Sequence, residues 1–285
     1  MDSHTDQYLT VNQCSIRFRE AGSGPVLLLV HGIAGYLEEW EPAMEILQEN
    51  FRVIALDLPG HGLSGKPDMA YTISNLTDFL KAFLSAMKLE KVFLAGHSLG
   101  GAISLSFTMQ YPHLVERLIL LNSAFTKIPF SIRLGSFGFL PRLIRKVPFI
   151  FVKASARRTF YHRKQIPGRW LADSFRYINR PGVLRVTFSI IRSNMTLTGL
   201  KKELSDALLN EVDEMSVPTL ILYGEKDRIV PNINSKLLCK RLPNSECVSF
   251  RNCGHELQME CCDQFCRHTA AFLNKSTNPE KHEHE

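Results

Sequence analysis

The alternation of short apolar runs with helix-length amphipathic stretches, sustained from about residue 26 to residue 273, limits this chain to few architectures. The runs are VLLLV (26–30), VIAL (53–56), VFLAG (92–96), LILLN (118–122), TLILYG (219–224) and the shorter CVSF (247–250). Unbroken apolar strands are buried on both faces, and strands that alternate with helices form a parallel sheet covered on both sides. Helices are predicted at 40–49, 73–87, 100–110, 232–241 and 263–273. Residues 8–20 alternate weakly and end in the turn AGSGP (21–25), which predicts an antiparallel edge. The expected fold class is α/β, with a doubly wound, mostly parallel sheet.

One stretch breaks the alternation. Between residues 125 and 210 the patterns are helical, punctuated by Pro129, Pro141, Pro148, Pro167 and Pro181, with no convincing strand. The expected organisation is a core of residues 1–124 and 211–274, an inserted helical lid of 125–210 and a disordered tail of 275–285.

Residues 125–200 hold fifteen Lys or Arg against one acid, Asp173, although the whole chain carries only +6. The lid mixes apolar Ile128, Phe130, Ile132, Leu134, Phe137, Phe139, Leu140, Leu143 and Ile144 with basic Arg133, Arg142, Arg145 and Lys146. That profile predicts peripheral contact with anionic lipid or attraction of an anionic substrate, against the plainer reading of a solvated basic face over a packed lid. Nucleic acid is not expected as a partner, because charge is unaccompanied by any recognisable binding module. Nothing in the pattern fixes an oligomeric state.

Residues 1–8, MDSHTDQY, have neither a basic n-region nor an apolar h-region, and no apolar run approaches bilayer length. A cytoplasmic protein is the expectation. Seven cysteines, odd in number and irregularly spaced, do not form a disulfide framework pattern. Six lie at 239–266 near His255 and His268, but without paired C-x-x-C spacing they read as small apolar side chains rather than a metal site.

The chemistry concentrates after VFLAG. There Gly96-His97-Ser98-Leu99-Gly100-Gly101 opens a helical pattern, so a G-x-S-x-G occupies the strand-turn-helix context of a nucleophile elbow. A serine hydroxyl needs a base within hydrogen-bond reach, itself oriented by a third group. His255 comes after the last strand in NCGH (252–255), and Asp227 after TLILYG in GEKDRIVP (224–231), with Glu225 as its nearest competitor. The candidate catalytic set is Ser98, Asp227 and His255, in that chain order. The oxyanion would take backbone N–H groups from Leu99, after the nucleophile, and from Ile33 in HGIAG (31–35). His31, His61 and His97 read as structural, and DLPGHGLS (57–64) as a tight loop shaping the pocket edge.

Taken together, HGIAG, DLPGHGLS, GHSLGG, YGEKDRIVP and GHELQME make the chain, from about 9 to 273, resemble the α/β-hydrolase superfamily. The likeness is to its esterase, lipase and C–C hydrolase branch with a helical cap. The resemblance implies Ser98 as nucleophile, His255 as general base and acid, Asp227 as orienting acid, and no cofactor or metal. Serine at the elbow argues against dehalogenase and epoxide hydrolase relatives, which carry aspartate there. The expected activity is hydrolysis of acyl or aromatic carboxylic esters through an acyl-enzyme. A meta-cleavage-product C–C hydrolase is the alternative, disfavoured because HGIAG lacks the usual oxyanion-loop glycine-proline-glycine. A small-molecule receptor that keeps the triad is the other.

Overall fold

A computed structural model describes residues 5–124, 144–196 and 199–275. The lid side chains named above from Ile128 to Leu143, and the tail from residue 276 onward, lie outside the described residues.

Eight strands form one sheet: β1 (Gln7–Val11), β2 (Cys14–Ala21), β3 (Val26–Val30), β4 (Arg52–Leu56), β5 (Val92–His97), β6 (Val115–Leu121), β9 (Thr219–Gly224) and β10 (Ser245–Phe250). Their order is β1-β2-β4-β3-β5-β6-β9-β10. The first two strands pair antiparallel with each other and β2 pairs antiparallel with β4, while every later pairing is parallel. The apolar runs therefore became the parallel strands, and the weakly alternating segment became the edge.

The period of two along each strand divides the core into two layers. Leu28 and Val30 of β3, with Leu118 and Leu120 of β6, face one layer. Helices α2 (Ile73–Ala86) and α3 (Leu99–Gln110) cover it with Leu80, Phe83, Ile103 and Phe107. Leu27 and Leu29, with Ile119 and Leu121, face the other layer against Trp40. That face is closed by α1 (Glu41–Leu47) and α10 (Cys262–Leu273), through Met44, Leu47, Phe265 and Phe272. Each of these fully buried side chains contributes roughly 1.5–3 kcal/mol by leaving water.

Between β6 and β9 the described chain forms α4 (Phe149–Thr159), α5 (Gly168–Ile178), α6 (Val183–Asn194) and α7 (Lys202–Asn210). A two-stranded antiparallel ribbon, β7 (Met195–Thr196) with β8 (Gly199–Leu200), also occurs where the sequence offered no strand, since two residues are too few to set up an alternation. Trp170 and Tyr177 of α5 pack with Ala156, Phe160 and Tyr36, while Val186 and Ile190 of α6 and Leu208 of α7 join the α2–α3 layer.

The chain closes with α8 (Ile233–Arg241), the short α9 (Leu257–Glu260) and α10. The cysteine reading needs one correction. Cys239 of α8 and Cys247 of β10 are joined as a disulfide, while Cys14, Cys253, Cys261, Cys262 and Cys266 are free. Their eight-residue separation spans a helix end and the next strand, and only the packing of α8 on the sheet brings them together. No helix among the described residues is long and apolar enough to cross a membrane.

Candidate active site

Ser98 stands between β5 and α3 with φ 55° and ψ −116°, outside the regions that non-glycine residues ordinarily occupy. Two close approaches make the turn possible. A Cβ on Gly100 would come within 2.3 Å of the Val30 carbonyl oxygen, and one on Gly32 within 3.0 Å of the Ser98 Cβ. Hence α3 lies directly on β3, and the 31–35 loop lies directly against the serine. Gly100→Ala is expected to destabilise the fold by about 1–3 kcal/mol in urea unfolding, because backbone rather than a flexible side chain must move.

The 31–35 loop closes in a turn with Gly35 N–H donating to the Gly32 carbonyl at 3.2 Å and Ala34 at φ 57°. The Ile33 N–H, at the second position of that turn, is not spent on closing it. Leu99 N–H belongs to the first turn of α3, whose donors have no acceptor within the helix. Leu99 thus follows Ser98 directly, and Ile33 follows Gly32, the residue that abuts the serine.

His255 and Asp227 meet directly, Nδ1–H of the imidazole donating to Asp227 Oδ2 at 2.7 Å. The other carboxylate oxygen accepts from the Ile229 and Val230 N–H groups at 2.7 and 2.9 Å, which fixes the carboxylate plane. Burial pulls the His255 imidazole toward its neutral form, but the Asp227 charge and hydrogen bond overcome it, and its pKa is raised above the ordinary 6.5. Glu225 is no rival here: its Oε1 accepts from the Ser249 hydroxyl at 3.1 Å on the exposed side.

Three residues that sequence reasoning missed hold these segments together. Asn122, at the end of β6, donates from Nδ2 to the Gly254 and His255 carbonyls at 3.1 and 2.8 Å, and accepts from the Gly224 N–H at 2.9 Å. It thus ties the Asp227 loop to the His255 loop. A buried polar residue closing an apolar strand, LILLN, was the available signal. Glu260 accepts the Gly254 N–H at 2.9 Å and the Tyr161 N–H at 2.7 Å, while His255 N–H donates to the Thr159 carbonyl at 2.7 Å. The end of α4 is consequently built into the His255 loop. Arg17, only 1% exposed, donates to Glu38, Asp57, Asp6 and Tyr177, and Asp57 accepts the Leu37 and Leu63 N–H groups at 2.8 Å each.

The three motif histidines brace backbone. His31 donates from Nδ1 to the Gly32 carbonyl at 2.7 Å and accepts the Leu58 N–H at 3.0 Å, and burial lowers its pKa to about 3. His61 donates to the Pro59 carbonyl, with its pKa lowered by burial to about 4. His97 stacks 4.6 Å from the His255 ring and donates from Nε2 to the His255 carbonyl at 2.9 Å. Its Nδ1 has no partner and lies 3.9 Å from Glu256 Oε2.

Glu39, His97 and Glu256 form the one grouping among the described residues with a metal-ligating donor set, their polar atoms lying within 4.8 Å of one another. Burial raises the pKa of both carboxyls, Glu256 to about 7. The folded protein holds the Glu256 proton more tightly than the unfolded chain, so stability from this group is full below pH 4.5 and is lost as pH rises through about 7. Glu256→Gln is expected to flatten that decline by on the order of 1–3 kcal/mol, read from urea unfolding at pH 5 and pH 8.

A groove of about 740 Å³ lined by His162, Phe250, Met259, Cys261 and Cys262, among others, opens elsewhere and touches none of Ser98, Asp227 or His255.

Residues 25–260 match the family model described as alpha/beta hydrolase fold. The chain belongs to the α/β-hydrolase family. An uncharacterised protein of Mycobacterium tuberculosis is 30% identical over 270 residues, covering 88% of this chain and 76% of the relative. The 2-hydroxy-6-oxo-2,4-heptadienoate hydrolase of Pseudomonas putida is 28% identical over 264 residues, covering 89% and 91%. Among solved structures, the meta-cleavage product hydrolase of Pseudomonas fluorescens IP01 superposes with a TM-score of 0.81 at 21% identity, covering 94% of this chain and 97% of that one. The expected mostly parallel fold is thus this hydrolase's fold.

Proposed function

We propose that this hydrolase cleaves carboxylic esters through an acyl-enzyme. Ser98 attacks the acyl carbon, and His255 takes the serine proton and returns it to the leaving alcohol. Asp227 orients and stabilises the imidazolium, and the Ile33 and Leu99 N–H groups receive the oxyanion. Water then attacks the acyl-enzyme, His255 taking its proton and returning it to the Ser98 oxygen as the acyl–oxygen bond breaks, so that the carboxylic acid leaves and the hydroxyl is restored. The observation that supports this reading is the 2.7 Å His255–Asp227 hydrogen bond, held to the strained elbow through His97, the neighbour of Ser98, which donates to the His255 carbonyl at 2.9 Å.

A panel of p-nitrophenyl esters from short to long acyl chain tests it, run beside a 2-hydroxy-6-oxo-dienoate. Turnover of esters well above the dienoate supports ester hydrolysis. The reverse ranking supports the C–C hydrolase reading, in keeping with the likeness to the 2-hydroxy-6-oxo-2,4-heptadienoate hydrolase of Pseudomonas putida. Stoichiometric labelling without turnover would make the chain a receptor.

Because His255 must be neutral to act as base, kcat/KM is expected to rise with pH through an apparent pKa above 6.5. A pH–rate profile with its acid limb at or below 6 would detach the base role from His255.

The Cys239–Cys247 disulfide favours an oxidising compartment over the expected cytoplasmic one. Thiol counting on denatured, unreduced protein distinguishes five free thiols from seven.

A further inference from the structure

Six large hydrophobic side chains are exposed among the described residues, and three of them are consecutive: Phe149 (39%), Ile150 (67%) and Phe151 (64%). They form the first turn of α4. The helix buries Val152, Ala156 and Thr159 against the protein, and that stripe leaves Ile150 and Phe151 on the outer side with Phe149 at its edge. Phe149 keeps an edge-to-face contact with Phe175 at 5.3 Å and a Lys153 ammonium 4.9 Å from its ring, so the turn is ordered while its apolar surface faces water. Exposed apolar clusters of this kind mark interaction surfaces rather than ordinary solvent-facing residues.

The charge around the trio has one sign. Residues 144–172 contain eight Lys or Arg and no acid. Arg145, Lys146, Lys153, Arg157 and Arg158 are exposed, and none forms an ion pair among the described residues. Arg157 and Arg158 follow Ile150 and Phe151 by seven residues and so share their face of the helix, and apolar side chains flanked by such cations complement a surface with anionic headgroups above hydrocarbon. A nucleic acid would neutralise the cations but leave the trio in water.

We propose that the amino-terminal turn of α4 docks on an anionic phospholipid surface, Phe149, Ile150 and Phe151 entering the headgroup boundary and the neighbouring Lys and Arg pairing with lipid phosphates. The other end of α4 hydrogen-bonds the His255 loop through the Thr159 carbonyl. Docking therefore brings the loop within one helix length, about 16 Å, of the bilayer surface. The proposal does not depend on ester hydrolysis, since binding requires no turnover.

Flotation of the full-length Ser98→Ala protein with vesicles tests it. One set is phosphatidylcholine alone, the other phosphatidylcholine with about one third phosphatidylglycerol. Partition is expected to be at least about tenfold stronger on the anionic vesicles and to weaken as salt rises. Ile150→Ser with Phe151→Ser is expected to lower that binding about tenfold, and Arg157→Gln with Arg158→Gln to remove most of the preference for anionic lipid. In the Ser98 background both double variants should keep the wild-type Tm and turnover of a water-soluble ester. Equal binding to both vesicle types, no binding to either, or wild-type binding by both variants overturns the proposal. A lipid-free dimer that the Ile150/Phe151 variant dissociates in size-exclusion light scattering also overturns it, and assigns the surface to a second copy. Vesicle binding without ester turnover would sink the proposed reaction and leave the docking intact.

Discussion

Ser98→Ala is expected to lower kcat on the best p-nitrophenyl ester by about 10⁵- to 10⁶-fold, with little change in KM. Removing the hydroxyl removes the acyl-enzyme route altogether, and only substrate binding and the N–H groups of Ile33 and Leu99 remain to assist water. Asp227→Asn should cost about 10⁴-fold, because an amide that donates to Nδ1 would favour the wrong imidazole tautomer. The two losses should not add, since both residues serve one proton transfer. Steady-state kinetics on purified variants with unchanged Tm decide this. A Ser98→Ala protein that keeps a hundredth of the activity would take the nucleophile role away from Ser98.

Arg17→Met should destabilise the protein by about 3–5 kcal/mol in urea unfolding. Burial alone works against a charged guanidinium, but Glu38, Asp57 and Asp6 overcome it and hold Arg17 protonated. Deleting the cation leaves Glu38 and Asp57, both buried, facing one another without their shared partner. Asp57 also anchors the Leu37 and Leu63 N–H groups on the two loops beside the serine, so the damage should reach activity as well. Asp57→Asn is the gentler probe, because it keeps the shape and loses the charge. If Arg17→Met costs less than about 1 kcal/mol, the cluster is not the coupled network its geometry describes.

The core was legible because its signal is local. The central parallel strands are apolar runs, and α2 has an apolar face at helical spacing, so expected and observed elements at 26–30, 53–56, 92–97, 118–121 and 219–224 nearly coincide. Ser98 was legible for the same reason: a serine between glycines at a strand end carries its backbone geometry in its neighbours. His255 and Asp227 were legible from their places in the loops just past the last two strands, where a parallel sheet presents its polar side chains.

The DLPGHGLS loop shows where such reading stopped. It was recognisable as a tight turn, yet Asp57 is a hub for Arg17 and two backbone N–H groups, and no spacing pattern announces an ion network. Arg17 reaches Tyr177 across 160 positions of sequence, in a segment that looked like a plain edge strand. Asn122 likewise joins two loops more than a hundred residues away.

Periodicity and turn glycines act over a few residues, and so the layered sheet and the strained turn at Ser98 were written into the chain itself. Only the tertiary structure decided which buried charges share a guanidinium, which cysteines meet, and which apolar side chains of α4 stay in water. Those outcomes depend on distance and burial among residues far apart in the chain, and burial is a property of the packed whole.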